Sequence, residues 1–219
     1  LLIKFRIRPP GLKNILTGVI VLGCVSFIHV ARYHLRETTR NSRNEAGEAR
    51  SLGDPGALFK IVGFSDFQCR YCREGAVILG QYINRYPDRI YFDQHYFPMG
   101  TMHRHAYRSA YFAHCAAQQG HFWEFSEELF NKQDSWGQMS VPEADEAFFQ
   151  MAFFMRLDVD QMRSCVDSRE TRTVILNDRA FGEALGVRST PTYFINGIRI
   201  AGPDSLEKML EKFVGEDGS

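Results

Sequence analysis

The stretch ALFKIVGFSDFQCRYCRE, residues 57–74, decides how the rest of the chain is read. Ala57 to Phe64 are mostly apolar and partly β-branched, a length and make-up suited to a buried strand. Cys69 and Cys72 follow at once with the spacing CxxC. Beyond them Val77, Ile78, Leu79, Tyr82, Ile83 and Tyr86 recur at steps of three and four, which predicts a helix that Pro87-Asp88 ends. Ile90 to Phe97, IYFDQHYF, reads as a second strand, so the segment is a β-α-β unit whose helix begins at the cysteine pair.

Downstream, residues from about 102 to 185 carry helix patterns and no convincing strand, with breaks near Gly120, between Ser135 and Pro142, and near Asp158. Pro142 fits a first helical position, and Asp158 with Gln161 resembles a capping box. Thr192–Ile195 and Ile198–Ala201, joined by Asn196-Gly197, form the strongest hairpin signal in the chain. A last helix is expected with Asp204 as its cap and Leu206, Met209, Leu210 and Phe213 as its buried stripe. The order strand, helix, strand, helical insertion, hairpin, helix is that of an α/β protein with no internal repeat.

Upstream, charge is uneven. The whole chain of 219 residues balances 26 basic against 26 acidic side chains, which removes a whole-chain case for nucleic acid. Residues 1–55 nevertheless hold nine Lys or Arg and four Asp or Glu. A basic flank, 1–14, precedes an apolar run from Ile15 to Ala31 that has no charged residue and is just long enough to cross a hydrocarbon core. His29 and Val30 stand where a cleavable signal would need small residues, so 15–31 is expected to be an uncleaved membrane anchor rather than a signal segment. Arg32, Arg36, Arg40 and Arg43 nearly match the basic residues before the run, so charge alone does not orient it. Residues 32–56 are expected to be a polar tether ending in Asp-Pro-Gly, with the soluble domain over 57–219.

A cysteine at a strand-to-helix junction meets unpaired N–H groups and the positive end of the helix dipole, both of which stabilise a thiolate. Cys69 is therefore expected to be the nucleophile with its sulfur facing solvent. Cys72, one turn further in, is expected to be shielded and to resolve a mixed disulfide. Arg70 adds a cation expected to lower the thiol pKa. CxxC also serves as half of a zinc site, but no second CxxC exists, and His103, His105, His114 and His121 share no clean helical face, so no metal is expected. Phe122, Trp123, Phe125 and Phe130 read as core, and Glu124, Glu127 and Glu128 as a solvated face.

FSDFQCRYC, QQGHFWEFSEELF and STPTYFING, in that order, resemble the DsbA-like, thioredoxin-fold thiol-disulfide oxidoreductases of bacterial cell envelopes, and the likeness covers roughly residues 57–214. The resemblance implies a thioredoxin-like fold with an inserted helical domain at about 102–185. It also implies catalytic Cys69 and Cys72, no cofactor beyond their disulfide, and a Thr190-Pro191 loop opposite them, cis at Pro191, that binds substrate. Some relatives carry a second, structural disulfide in the insertion, which would pair Cys115 with Cys165; two buried free thiols are the competing reading. The sequence departs from the family in two places: Arg70 stands where proline is common, and Gly63 where many members bury an acidic residue as a proton relay. Asp66, the nearest carboxylate, is a possible relay or else a solvated or capping residue.

The expected activity is disulfide exchange with cysteine-containing protein substrates, most simply as a disulfide donor, with reductase or isomerase action as the alternative directions. The expected place is the oxidising side of the cell envelope, where a membrane redox partner resets the pair. A thioredoxin-like scaffold that holds copper or zinc on its cysteines, or a chaperone with an idle pair, are the readings from other classes.

Overall fold

The computed structural model describes residues 50–215. The flank 1–14, the anchor 15–31 and the tether up to residue 49 lie outside the described residues. Among the described residues no helix is long and apolar enough to cross a membrane.

Five strands form one sheet: β1 (Ser51–Gly53), β2 (Phe59–Ser65), β3 (Ile90–Tyr96), β4 (Thr192–Ile195) and β5 (Ile198–Ala201), in the spatial order β1-β3-β2-β4-β5. β2 and β3 run parallel, from Phe59 opposite Ile90 to Ser65 opposite Tyr96, and the other pairings are antiparallel. The parallel pair needs a crossover, supplied by helix α1 (Arg70–Arg85). The β4–β5 hairpin turns at Asn196 and Gly197, whose φ values of 46° and 83° are the left-handed conformation such a two-residue turn demands. The Asn196 side chain then holds the neighbouring strand, accepting from the Lys60 N–H at 2.9 Å and donating to the Leu58 carbonyl at 3.0 Å.

Alternation along β2 divides the core. Phe59 and Ile61 pack with Leu79 and Ile83 of α1, with Ile90, Phe92 and Ile195, and with Leu206 and Leu210 of the last helix, α8 (Pro203–Gly215). Phe64 points the other way, with Phe97 and Val187. α8 begins at Pro203, one residue before the expected cap Asp204, because proline suits a first helical position and Gly202 before it takes a positive φ.

Six helices fill the stretch between the halves of the sheet: α2 (Ala106–Ala117), α3 (Phe122–Asn131), α4 (Gln133–Trp136), α5 (Val141–Phe154), α6 (Val159–Val166) and α7 (Arg169–Ala184). Their core includes Phe112, Phe122, Phe125, Leu129, Trp136, Phe148, Met162 and Ile175. The Trp136 indole N–H is satisfied by the Leu129 carbonyl at 2.7 Å. Asp158 caps α6 by accepting from the Gln161 N–H at 2.9 Å. A disulfide joins Cys115 of α2 to Cys165 of α6, with Cα atoms 5.8 Å apart, so the pairing implied by the resemblance is formed rather than two free thiols.

β1 falls inside the span read from sequence as tether. Three residues with one apolar side chain give no strand signal; a buried ion pair explains why they are held. The Arg50 guanidinium pairs with Asp178 of α7 and stacks over the Tyr96 ring at 4.6 Å. Asp178 also accepts from the Tyr96 N–H at 3.0 Å and lies 3.1 Å from His95 Nδ1, while His95 Nε2 lies 3.1 Å from Asp93. Burial alone would lower the proton affinity of His95, but hydrogen bonds to Asp178 and Asp93 prevail and raise its pKa to about 9. A pKa raised in the folded state gives stability that is complete below the unfolded value of 6.5 and is lost as pH climbs through 9. His95→Gln is thus expected to flatten the pH dependence of urea unfolding between these limits, where the native protein loses up to about 3 kcal/mol.

Candidate active site

Cys69 is the N-cap of α1, with extended backbone (φ −81°, ψ 121°). Its N–H donates to the Asp66 carbonyl at 3.1 Å, and its own carbonyl receives the N–H groups of Cys72 and Arg73 at 3.1 and 3.3 Å. The first turn of α1 carries no acidic residue, so nothing negative competes with a thiolate for the exposed N–H groups and the dipole. Both cysteines are free. Cys72 is buried, as expected, but Cys69 is also largely covered, at 6% exposure, rather than open to solvent.

The two thiols differ sharply in acidity. Hydrogen bonding to Cys72 is the main cause that lowers Cys69 to about 6; burial works against it, and backbone N–H groups of Cys72 and Tyr71 and the Thr190 side chain add to the lowering. Cys72 moves well above the ordinary thiol range, first through burial and then through Cys69, although the Asp66 N–H donates to its sulfur at 3.4 Å. At neutral pH the pair is a thiolate at the helix end and a thiol beneath it.

Opposite the pair, the Thr190–Pro191 peptide bond is cis. The Thr190 carbonyl lies 3.4 Å from Cys69 Sγ, and the Pro191 carbonyl accepts from the Gly202 N–H at 3.0 Å, which ties this loop to the end of β5. Arg70 extends outward, pairs with Glu74 at 3.4 Å and stacks over the Tyr71 ring at 5.0 Å. Asp66 is not solvated: it is buried, and its carboxylate accepts from the N–H groups of Gln68 and Met99, each at 2.8 Å, and lies 2.8 Å from His103 Nδ1.

At Gly63 a side chain would have to push rings aside. A Cβ there would stand 2.6 Å from Phe92 and 3.1 Å from Tyr193, and one at Gly75 would stand 2.1 Å from the Tyr193 hydroxyl. The two glycines make a slot in which the Tyr193 ring lies buried between β2 and α1. The phenol's pKa is raised well above its usual value by burial and by the charges of Cys72 and Cys69, so it stays protonated beneath the pair.

Three further residues hold the site and gave no sequence signal, because their partners are 34 to 69 positions away. Gln133 donates to the carbonyls of Phe67 and Cys69 at 2.7 and 3.1 Å. Gln68 accepts from the His105 N–H at 2.6 Å and donates to the Gly137 carbonyl at 3.4 Å. His105 in turn reaches the Met139 carbonyl through Nε2 at 3.0 Å. The histidines that the sequence groups together have separate surroundings: His103 on Asp66, His105 on Met139, His114 buried against the Tyr96 ring, and His121 4.0 Å from Glu124. Burial and the Arg50 charge lower His114 to about 4, which keeps it neutral.

Sheet order, helical insertion and a cysteine pair at a helix N-terminus beside a cis X-Pro loop are together the architecture of the DsbA-like thioredoxin-fold proteins. A sequence model described as thioredoxin matches residues 45–214, and the chain belongs to that family. Among solved structures it is similar to α-DsbA1 of Wolbachia pipientis, with a TM-score of 0.64 and 20% identity over 76% of this chain and 91% of the other. Among curated sequences it is similar to a probable disulfide bond formation protein D of Bacillus anthracis, 27% identical over 74% of this chain and 77% of that protein. It is also 29% identical, over 69% of its length, to a Na(+)/H(+) antiporter NhaA 1 of Mycolicibacterium vanbaalenii, of which the match covers 24%. The chain thus spans about a quarter of the antiporter relatives it matches.

Two measurements check this geometry. Replacing Cys72 by Ala removes the main hydrogen bond to Cys69, and the ultraviolet thiolate titration of Cys69 is expected to rise by about one unit from its midpoint near 6. Replacing Gln133 by Leu takes the side-chain donor from the buried Phe67 carbonyl, while the Cys69 carbonyl keeps its helix N–H donors, and is expected to lower unfolding free energy by roughly 1–3 kcal/mol in a denaturant titration.

Proposed function

We propose that the protein is a thiol-disulfide oxidoreductase that donates disulfides to cysteine-containing protein substrates, with Cys69 as the attacked and attacking sulfur and Cys72 as the resolving one. The observation that carries this reading is the split in acidity between two thiols one turn apart at the start of α1. A stabilised thiolate favours the reduced pair, and a protein whose reduced form is favoured is an oxidant.

In the donor direction a substrate thiolate attacks Cys69 Sγ of the Cys69–Cys72 disulfide. That bond breaks, and Cys72 leaves with the electron pair and takes up a proton. A second substrate thiolate then attacks the substrate sulfur of the mixed disulfide, and Cys69 leaves as a thiolate. The substrate dithiol loses two electrons and two protons; the pair keeps both electrons and one proton, and the other proton goes to solvent. Thr190 and Pro191 beside Cys69 suit an extended substrate segment laid along the loop as an added strand. With no acid at Gly63, Asp66 is the relay carboxylate of this reading: its main-chain N–H reaches Cys72 Sγ, and its carboxylate reaches the partly exposed His103. The disulfide at Cys115 and Cys165 supports an oxidising compartment. The basic flank and apolar run up to residue 31, and a likeness to part of an antiporter, support a domain held at the cell-envelope membrane, where a membrane redox partner would withdraw the two electrons.

The test is oxidation of a reduced two-cysteine peptide by the oxidised protein, with the redox equilibrium of the pair measured against glutathione. One peptide disulfide per protein is expected, together with loss of the reaction in Cys69→Ser, a mixed disulfide trapped when reduced Cys72→Ser attacks the oxidised peptide and releases one of its thiolates, and a potential nearer about −120 mV than about −270 mV. A native protein that exchanges no disulfide ends the reading, and a potential at the reducing end ends the donor direction.

A further inference from the structure

Asp66 is connected to both cysteines through its main chain and to His103 through its side chain. Its carbonyl accepts from the Cys69 N–H at 3.1 Å, its N–H donates to Cys72 Sγ at 3.4 Å, and its carboxylate, with no exposed surface, lies 2.8 Å from His103 Nδ1. One residue therefore fixes the position of an imidazole relative to two sulfurs. The His103 side chain is 22% exposed, between the buried carboxylate and solvent.

We propose that His103 is a positioning residue of the redox centre: anchored through Nδ1 on the buried Asp66 carboxylate, it holds a positive charge beside the cysteine pair and eases the departure of Cys69 as a thiolate. This inference rests on the reading of Cys69 as the exchanging sulfur. The carboxylate hydrogen bond is the main cause that raises the imidazole's proton affinity, burial opposes it, and the charges of Asp66 and Cys69 add to it.

Three cations near the start of α1 and the cis loop are engaged elsewhere. Arg70 pairs with Glu74, Arg73 pairs with Asp134 of α4 at 2.9 Å, and Arg188, leading into the cis loop, donates to the carbonyls of Glu183 and Val187. His103 is unlike these cations in having its counter-ion buried, which keeps it in one place rather than swinging in solvent.

The experiment is a thiolate titration and a glutathione equilibrium on the native protein, His103→Gln and Asp66→Asn, with thermal unfolding of each. Loss of the charge is expected to raise the Cys69 midpoint by about half a unit, less than loss of Cys72 does, and to move the glutathione equilibrium about threefold toward the oxidised pair. Asp66→Asn should move both in the same direction by releasing the imidazole, and His103→Gln remains informative if that variant folds poorly. A folded His103→Gln with native midpoint and equilibrium, whatever its melting temperature, overturns the proposal and leaves the oxidoreductase reading standing. A native protein without an acidic Cys69 overturns both.

Discussion

The start of α1 is the constraint on which the rest of the structure depends. A helix cannot pair its own first N–H groups, and here the residue at that position is a cysteine, with no carboxylate in the turn that follows. The next cysteine lies a turn inside, where burial opposes charge. The same thiol side chain therefore has two proton affinities within four residues. Sheet, insertion and cis loop keep this junction covered without closing off its donors.

The helical insertion takes part in the site as well as sitting beside it. Phe67, Cys69 and Cys72 belong to the same buried cluster as Phe112, Trp136 and Phe148. Gln133 holds two carbonyls of the cysteine loop, and Gln68 reaches back to the backbone at His105 and Gly137. These bonds leave the backbone between β2 and α1 little freedom to move away from the helix dipole. The rigidity of the cap therefore comes from residues far along the chain.

The parts of the fold that were legible in the sequence are those where periodicity or turn chemistry is local. β2, α1 and β3 follow from short apolar runs and three-four spacing around CxxC, and the β4–β5 turn follows from Asn196-Gly197. The cysteine pair was legible because CxxC after a strand has few uses. β1 was not, since an edge strand of three residues is held by an ion pair from Arg50 to a helix more than a hundred positions later. Gln133, Gln68 and His103 were not legible either: a polar side chain in a helix or loop looks alike in sequence whether it meets water or a buried group of another element. Asp66 shows the same ambiguity, and only its burial separates a fixed carboxylate from a solvated one.

The slot formed by Gly63 and Gly75 sets what lies beneath the sulfurs. Phe92 and Tyr193 crowd the place of a Cβ at position 63, and the Tyr193 hydroxyl that of one at position 75, so a side chain at either glycine must first displace a ring. The polar group beneath the sulfurs is thereby a neutral phenol and not a second acid, so the floor of the pair adds a hydroxyl dipole without adding a charge.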